Sequence, residues 1–257
     1  MPKKLILAAI ALAAAAPMAS AADLPTPPAE ADSGWSITFA PYVWAAGMDG
    51  KVAQFGLPEV DVDASFSDVL NHFDIGLMGA GEARYGRFGV ATDLLWVKLS
   101  ADADTPLGLL ANSVDAEVET LMFTAVGSYS LFLDETANLD IVAGGRVWSV
   151  DTDLDFKGGL LGGQTASDGD TWVDPLVGLK GRANFTPEFY ITGWGLIGGF
   201  DVSSEFMWDV MGGLGYAPSD GFSIVAGYRG VGVDYRNDGF VYDVVQHGPI
   251  LGFVFNF

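Results

Sequence analysis

Gly248-Pro249-Ile250-Leu251-Gly252-Phe253-Val254-Phe255-Asn256-Phe257 closes the chain, and its side chains fall into two sets. Counting back from Phe257, every second position is apolar and bulky: Phe255, Phe253 and Leu251. Between them stand Asn256, Val254, Gly252 and Ile250, which are smaller or more polar. A β-strand sends successive side chains to opposite faces, so this segment carries a broad aromatic face and a narrower second one. A buried strand of a soluble sandwich has the same pattern, so the rest of the chain must decide between the two.

The opposite end reads as an export signal. Lys3 and Lys4 precede an apolar run from Leu5 to Ala16, and Ala19-Ser20-Ala21 offers a small-residue cleavage site. A run of about a dozen residues is short of the ~20 that a spanning helix needs. Residues 1–21 are therefore set aside as a signal peptide. Their removal takes two lysines and no acid, moving the formal charge from −21 to −23. No later stretch is long and apolar enough for a transmembrane helix.

Half of the residues are hydrophobic and mean hydropathy is +0.31, yet acids outnumber bases 33 to 12. Strands that alternate, with one face in lipid, reconcile these facts, because apolar residues are then many but never contiguous. The chain has no cysteine, which excludes a disulfide scaffold. Its acidic balance argues against nucleic acid, since phosphate binding needs a basic surface.

Residues 22–34 are Pro-rich and unpatterned, and read as a flexible periplasmic tail. From Trp35 onward ten strand-like segments follow, at 35–47, 73–86, 88–100, 114–131, 138–152, 172–185, 189–201, 205–217, 222–234 and 240–257. A short helical turn is expected around Ser65 to Phe73, and residues 51–57 can extend the first hairpin. The connections alternate in kind. Long acidic ones at 48–72, 101–113 and 153–171 are followed by tight ones such as Gly86-Arg87 and Thr186-Pro187-Glu188. The pattern predicts an all-β fold: a transmembrane antiparallel up-and-down β-barrel of about ten strands, with eight to twelve possible, spanning 35–257 as one domain. An even strand number places both termini on the periplasmic side.

Facing is read strand by strand. In the second, Phe73, Ile75, Leu77 and Tyr85 share a face that opposes Asp74, Glu82 and Arg84; in the sixth, Val173, Val177 and Leu179 oppose Asp174, Lys180 and Arg182. Alternation alone also suits a lipocalin-like barrel with an apolar interior. Two features decide against it: aromatics sit at the ends of the apolar stripes, as girdles require, and the polar faces carry too little charge for a solvated exterior.

The terminal strand resembles the last strand of Gram-negative outer-membrane barrels, and the resemblance implies recognition of Phe253, Phe255 and Phe257 by the barrel-assembly machinery. Asp61-Val-Asp-Ala-Ser-Phe-Ser-Asp-Val-Leu70, Gly79-Ala-Gly-Glu-Ala-Arg84, Gly86-Arg-Phe-Gly89 with Asp93, and Trp172 with Asp174-Pro175 and Gly178 are similar to a group of small, porin-like proteobacterial outer-membrane proteins. That likeness implies fold and location and carries over no catalytic residue.

Eleven charged residues are expected to line the lumen: Asp74, Glu82, Arg84, Asp93, Asp140, Arg146, Asp174, Lys180, Arg182, Asp209 and Arg229. They either pair across a narrow interior, with Asp140 near Arg182, or form a charged constriction that selects small solutes. Asp61 and Asp63, Asp102 and Asp104, and Asp151, Asp153 and Asp155 recur at a spacing of two; they can meet divalent ions at the rim, but read more simply as solvated acids, and no metal site or cofactor is expected. His72 lies beside Asp68 and Asp74, and His247 beside Asp243, without a nucleophile motif. The expectation is a non-enzymatic protein: a narrow channel for small cationic solutes, or a sealed structural barrel, in contact with outer-membrane lipid and lipopolysaccharide. The alternatives are a hydrolase with a His/Asp site on the rim, and a surface adhesin acting through its loops.

Overall fold

Alternation becomes pairing in the computed structural model, which describes residues 34–104 and 112–257. The signal peptide expected at 1–21, the tail except Gly34, and residues 105–111 of the second long connection lie outside the described residues. The strands are β1 (Trp35–Trp44), β2 (Gly47–Ala53), β3 (Val60–Ala64), β4 (Phe73–Tyr85), β5 (Phe88–Asp104), β6 (Ser113–Leu133), β7 (Ala137–Lys157), β8 (Thr165–Asn184), β9 (Phe189–Gly198), β10 (Phe206–Ser219), β11 (Phe222–Asn237) and β12 (Phe240–Asn256). One helix, α1 (Phe66–Asn71), interrupts them. All pairings are antiparallel, and β1 bonds to both β4 and β12, so the sheet closes on itself.

The barrel has ten strands because two of them are broken. The Cα partners of β1 and β2 on β12 keep a single register, from Thr38↔Asn256 through Trp44↔Ile250 to Val52↔Tyr242. The break falls opposite Pro249. Ala45 N–H donates to the Pro249 carbonyl at 2.9 Å, but proline has no N–H to return the bond. Gly248 is required beside it: a Cβ there would stand 1.9 Å from the Ala45 carbonyl oxygen. The second strand consists of β3 and β4, parted by α1. Ser65 caps that helix: its Oγ accepts from Asp68 N–H, and the Asp68 carboxylate accepts from Ser65 N–H at 3.0 Å. This capping box explains why a helical turn forms at the position expected from sequence.

The decisive stretch is the closing seam. Phe257 N–H donates to the Ile37 carbonyl at 2.9 Å and Ile37 N–H to the Phe257 carbonyl at 3.1 Å. Leu251, Phe253, Phe255 and Phe257 point outward, Phe257 with 78% of its surface exposed. Trp35, Tyr85, Phe88, Tyr129, Phe189 and Tyr216 are exposed near the same end. Exposed apolar area of this extent on a closed sheet is what a lipid-facing wall requires.

The connections at the other end differ from those expected. The 48–72 segment is the β2–β3 hairpin followed by α1, not a free loop. The 153–171 segment is mostly ladder: β7 runs on to Lys157 and β8 begins at Thr165, paired throughout, because the alternating Asp-x-Asp pattern is as good a strand as an apolar one once it rises above the bilayer. At β11–β12 only Asp238 and Gly239, both at positive φ, make the turn, the geometry of a two-residue hairpin.

That extension has a cost. Asp115, Glu117 and Glu119 of β6 stand directly opposite Asp155, Asp153 and Asp151 of β7. Like charges in opposed positions destabilise by about 0.2–1 kcal/mol each, and the Lys98–Glu117 (2.6 Å) and Lys157–Asp115 (3.4 Å) pairs offset only part of it. Raising salt from about 0.02 M to about 0.5 M screens such exposed charges. Amide exchange at 113–119 and 151–157 should therefore slow several-fold in high salt, while exchange at the β11–β12 ladder stays the same.

Candidate functional site

Facing inward across a ring of ten strands, polar side chains meet partners far away in sequence. The central cluster joins seven strands. Arg146 of β7 donates to Asp209 of β10 at 2.5 Å, and its Nε donates to Thr124 Oγ1 at 2.7 Å. Arg229 of β11 bonds Asp209 at 2.7 Å, Asp93 of β5 at 2.8 Å and the Tyr42 hydroxyl at 3.0 Å. Trp194 Nε1 donates to the remaining Asp209 oxygen at 2.8 Å. Arg146, Asp209 and Arg229 are fully buried. A buried carboxylate between two guanidiniums is tolerable only with its lone pairs filled, and here they are.

A second cluster lies toward the short-turn end. Arg84 of β4 bonds Asp140 of β7, Glu82 at 2.9 Å and Ser130 Oγ at 2.5 Å; Lys180 of β8 bonds Glu82 at 2.5 Å. The expected proximity of Asp140 to Arg182 is corrected. Lys180 is the residue opposite Asp140 in the ladder, and Arg84, reaching across the lumen, takes its carboxylate. Arg182 stacks on the Tyr190 ring at 3.5 Å and donates to Asn184 at 3.1 Å. It makes no ion pair among the described residues.

Toward the opposite end the interior is aromatic. Trp172 stacks on Tyr235 with ring centroids 3.9 Å apart and on Trp148 at 5.9 Å, and Phe240 and Tyr242 meet Trp172 edge-on. Asp174 stands opposite Arg146 in the β7–β8 ladder but makes no ion pair with it among the described residues. Its carboxylate accepts from Ser204 N–H at 2.8 Å and Oγ at 2.6 Å, pinning the β9–β10 loop, and Trp172 Nε1 donates to the same hydroxyl. Above the stack the β2–β3 turn crosses the mouth, where Phe55 N–H donates to Asp168 of β8. Asp74 stands at the exposed rim, bonded by Ser100.

Below the central cluster lies a cavity of about 490 Å³, bounded by Tyr42, Arg146, Trp194 and Arg229 at one end and by Asn138, Arg182 and Asn256 at the other. A depression at the short-turn mouth shares Arg182 and Asn256 with it.

The histidines do not meet. His72 Nδ1 lies 2.7 Å from the Asp68 carbonyl oxygen beside α1. His247 is outside the barrel, its Nε2 3.3 Å from Asp49 of β2 and its Nδ1 2.6 Å from the Tyr228 hydroxyl. Sequence reading paired it with Asp243; Asp49 takes that place because the first strand continues past residue 47 along β12. Among the described residues no three acids or histidines converge as metal ligands.

No protein-family model and no curated protein matches the chain. Among solved structures, the outer-membrane protease OmpT from Escherichia coli superposes with a TM-score of 0.55 at 10% identity, covering 87% of this chain and 97% of that one. Ail, the attachment invasion locus protein of Yersinia pestis, gives 0.37 at 15% identity over 87% and 98%. Neisserial surface protein A gives 0.35 at 14% over 88% and 98%. At 10% identity the likeness to OmpT shows the fold alone: a closed antiparallel β-barrel of the architecture that this outer-membrane protein has. The expectation of a protein without enzymatic activity is withdrawn, because OmpT is a protease and shares this architecture.

Asp209→Ala should leave Arg146 and Arg229 buried with one carboxylate between them, a loss of about 3–5 kcal/mol by the usual cost of orphaning a buried charge. Urea unfolding of the barrel, followed by gel migration without boiling, reads this directly. At α1, the Ser65 hydroxyl and then its backbone N–H hold the Asp68 carboxyl below its ordinary 3.8. The cap is therefore intact above that value and frays as pH falls through the lowered one, which the exchange of Val69 N–H reports.

Proposed function

We propose that the protein is a sealed outer-membrane barrel holding a chamber open only toward the periplasm. The observation that carries this reading is closure at three successive levels: the Arg146–Asp209–Arg229–Asp93 cluster, the Trp148–Trp172–Tyr235 stack, and the turn bound to Asp168 across the mouth. A ten-stranded barrel encloses little more than its own side chains, so each level is enough to fill its cross-section. The exposed aromatic wall supports contact with outer-membrane lipid and lipopolysaccharide, and the outward Phe253, Phe255 and Phe257 support engagement by the assembly machinery. Glu82, Arg84 and Lys180, with Asp140 behind Arg84, then line the chamber rather than a pore.

In planar bilayers the refolded barrel should give no steady conductance. Trp172→Ala combined with Trp148→Ala should not open it either, because the central ion cluster remains. Steady single-channel currents from the unsubstituted protein are the result that overturns this reading.

A second reading rests on the Asp49–His247–Tyr228 group. A carboxylate on one imidazole nitrogen and a phenol on the other is an arrangement for moving a proton, and here it faces the outer-leaflet zone, where ester-bearing lipids lie. Release of product from a p-nitrophenyl acyl ester should then fall by about 10²-fold or more in His247→Ala. If the unsubstituted protein releases none, this reading fails.

A further inference from the structure

The geometry points to the chamber as a binding site for a small organic anion, a carboxylate carried on a compact apolar body. The inference rests on the sealed-barrel reading, which makes the chamber a blind pocket.

The charge balance around the chamber is opposite to that of the chain. The chamber wall carries five cations (Arg84, Arg146, Lys180, Arg182 and Arg229) against three carboxylates, Glu82, Asp93 and Asp209. Asp140, behind Arg84, brings the acids around the chamber to four, an excess of one cation there; the buried Asp174, opposite Arg146 and outside the chamber lining, balances it over the interior as a whole. That excess has an address. Each of the other four cations holds a carboxylate, whereas Arg182 rests on the Tyr190 ring and an amide oxygen.

Hydrogen bonding tells the same story independently. Arg146 is fully buried on the chamber wall, and its Nη1 has no hydrogen-bond partner. Among the described residues the other buried side-chain atoms without partners, the indole N–H groups of Trp44 and Trp148 and the Ser128 hydroxyl, belong to residues that do not line the chamber. On the chamber wall the unpartnered atom is a donor, Arg146 Nη1, and Arg182 holds no carboxylate, so a ligand that brings acceptors suits the site. A carboxylate does so with negative charge and matches a guanidinium fork.

The remainder of the wall sets the ligand's body. Val126, Val142, Leu196, Met211, Val225 and Ile250 face the chamber, and its volume of about 490 Å³ is that of a small-ligand pocket. The two depressions that share Arg182 give the route in from the short-turn mouth, with Arg182 at the threshold. The cation preference read from the acidic chain thus gives way, at this site, to anion preference.

The test is calorimetric titration of the refolded, full barrel in detergent with benzoate, benzyl alcohol and benzylammonium, against empty micelles. Saturable one-to-one binding of benzoate is expected, with benzylammonium giving none and the alcohol at least tenfold weaker. Arg182→Gln should weaken benzoate at least tenfold. Thr192→Phe, which fills the chamber without removing a charge, should do the same; unboiled gel migration confirms that each variant is folded. Benzylammonium binding as tightly as benzoate, an unchanged affinity in Arg182→Gln, or no saturable heat from folded protein would each overturn the inference. A barrel that binds nothing yet is electrically silent refutes the anion site alone, whereas a conducting one refutes the sealed-barrel reading.

Discussion

Everything in this molecule depends on the seam between β1 and β12. In hydrocarbon an unpaired backbone N–H or C=O costs several kcal/mol, because no water is there to bond it. A ten-stranded sheet with two free edges would expose a full row of such groups. Register fixes the seam from Thr38↔Asn256 upward, and the reciprocal bonds of Ile37 and Phe257 fasten its lower end. Closure then dictates the rest. It forces one side of every strand into lipid and the other into a narrow space where most inward charges meet a partner from another strand.

The inward partners are consequently polar and wide apart in sequence. Asp209 is bonded from β7, β9 and β11; Asp140 is bonded from β4 and from its own neighbourhood. Such a lattice of charges is a poor source of net stability compared with apolar packing, but breaking it is severe. Its physical effect is specification. A slip of one residue in any strand would turn these charges into lipid and the aromatic face inward, so the interior charges help to hold each register.

How legible this was differs between the wall and the interior. Alternation assigned the faces of β4, β8 and β10 because period two is a local property, and Asp174, Lys180 and Asp209 do point inward as the spacing of their neighbours required. The strand number also survived two breaks, since β2 beyond Gly47, β3 and α1 all fall in the stretch read as the 48–72 connection and add no strand to the count. Partner choice was not legible. Arg84 reaches Asp140 across the lumen, a distance set by barrel curvature and stagger that no spacing encodes. Tyr42 is the instructive omission: it shares parity with Thr38, Ala40 and Trp44, so extending the alternation to the first strand would have placed its hydroxyl inside, though not beside Arg229. The upper strands were cut short for another reason. Asp151, Asp153 and Asp155 look like loop residues by polarity, whereas their spacing of two is that of a strand continuing into water.

The two charge distributions of the chain are therefore separate physical facts. Acids at opposed positions on β6 and β7 stand outside the barrel, above the apolar wall, where solvent screens them and where repulsion costs little. Inside, solvent is scarce and each charge is felt at short range, so the composition of the whole chain says nothing about the field in the chamber. Arg146 and Arg182 make the point from opposite positions, one buried with a vacant Nη1 and one at the threshold without a carboxylate. An acidic protein that keeps an unpartnered donor on its chamber wall has placed it where the bilayer, not bulk water, sets the strength of the attraction. For that reason any recognition by this barrel from its short-turn end depends on the few residues lining the chamber, and not on the 33 acids that dominate its formal charge.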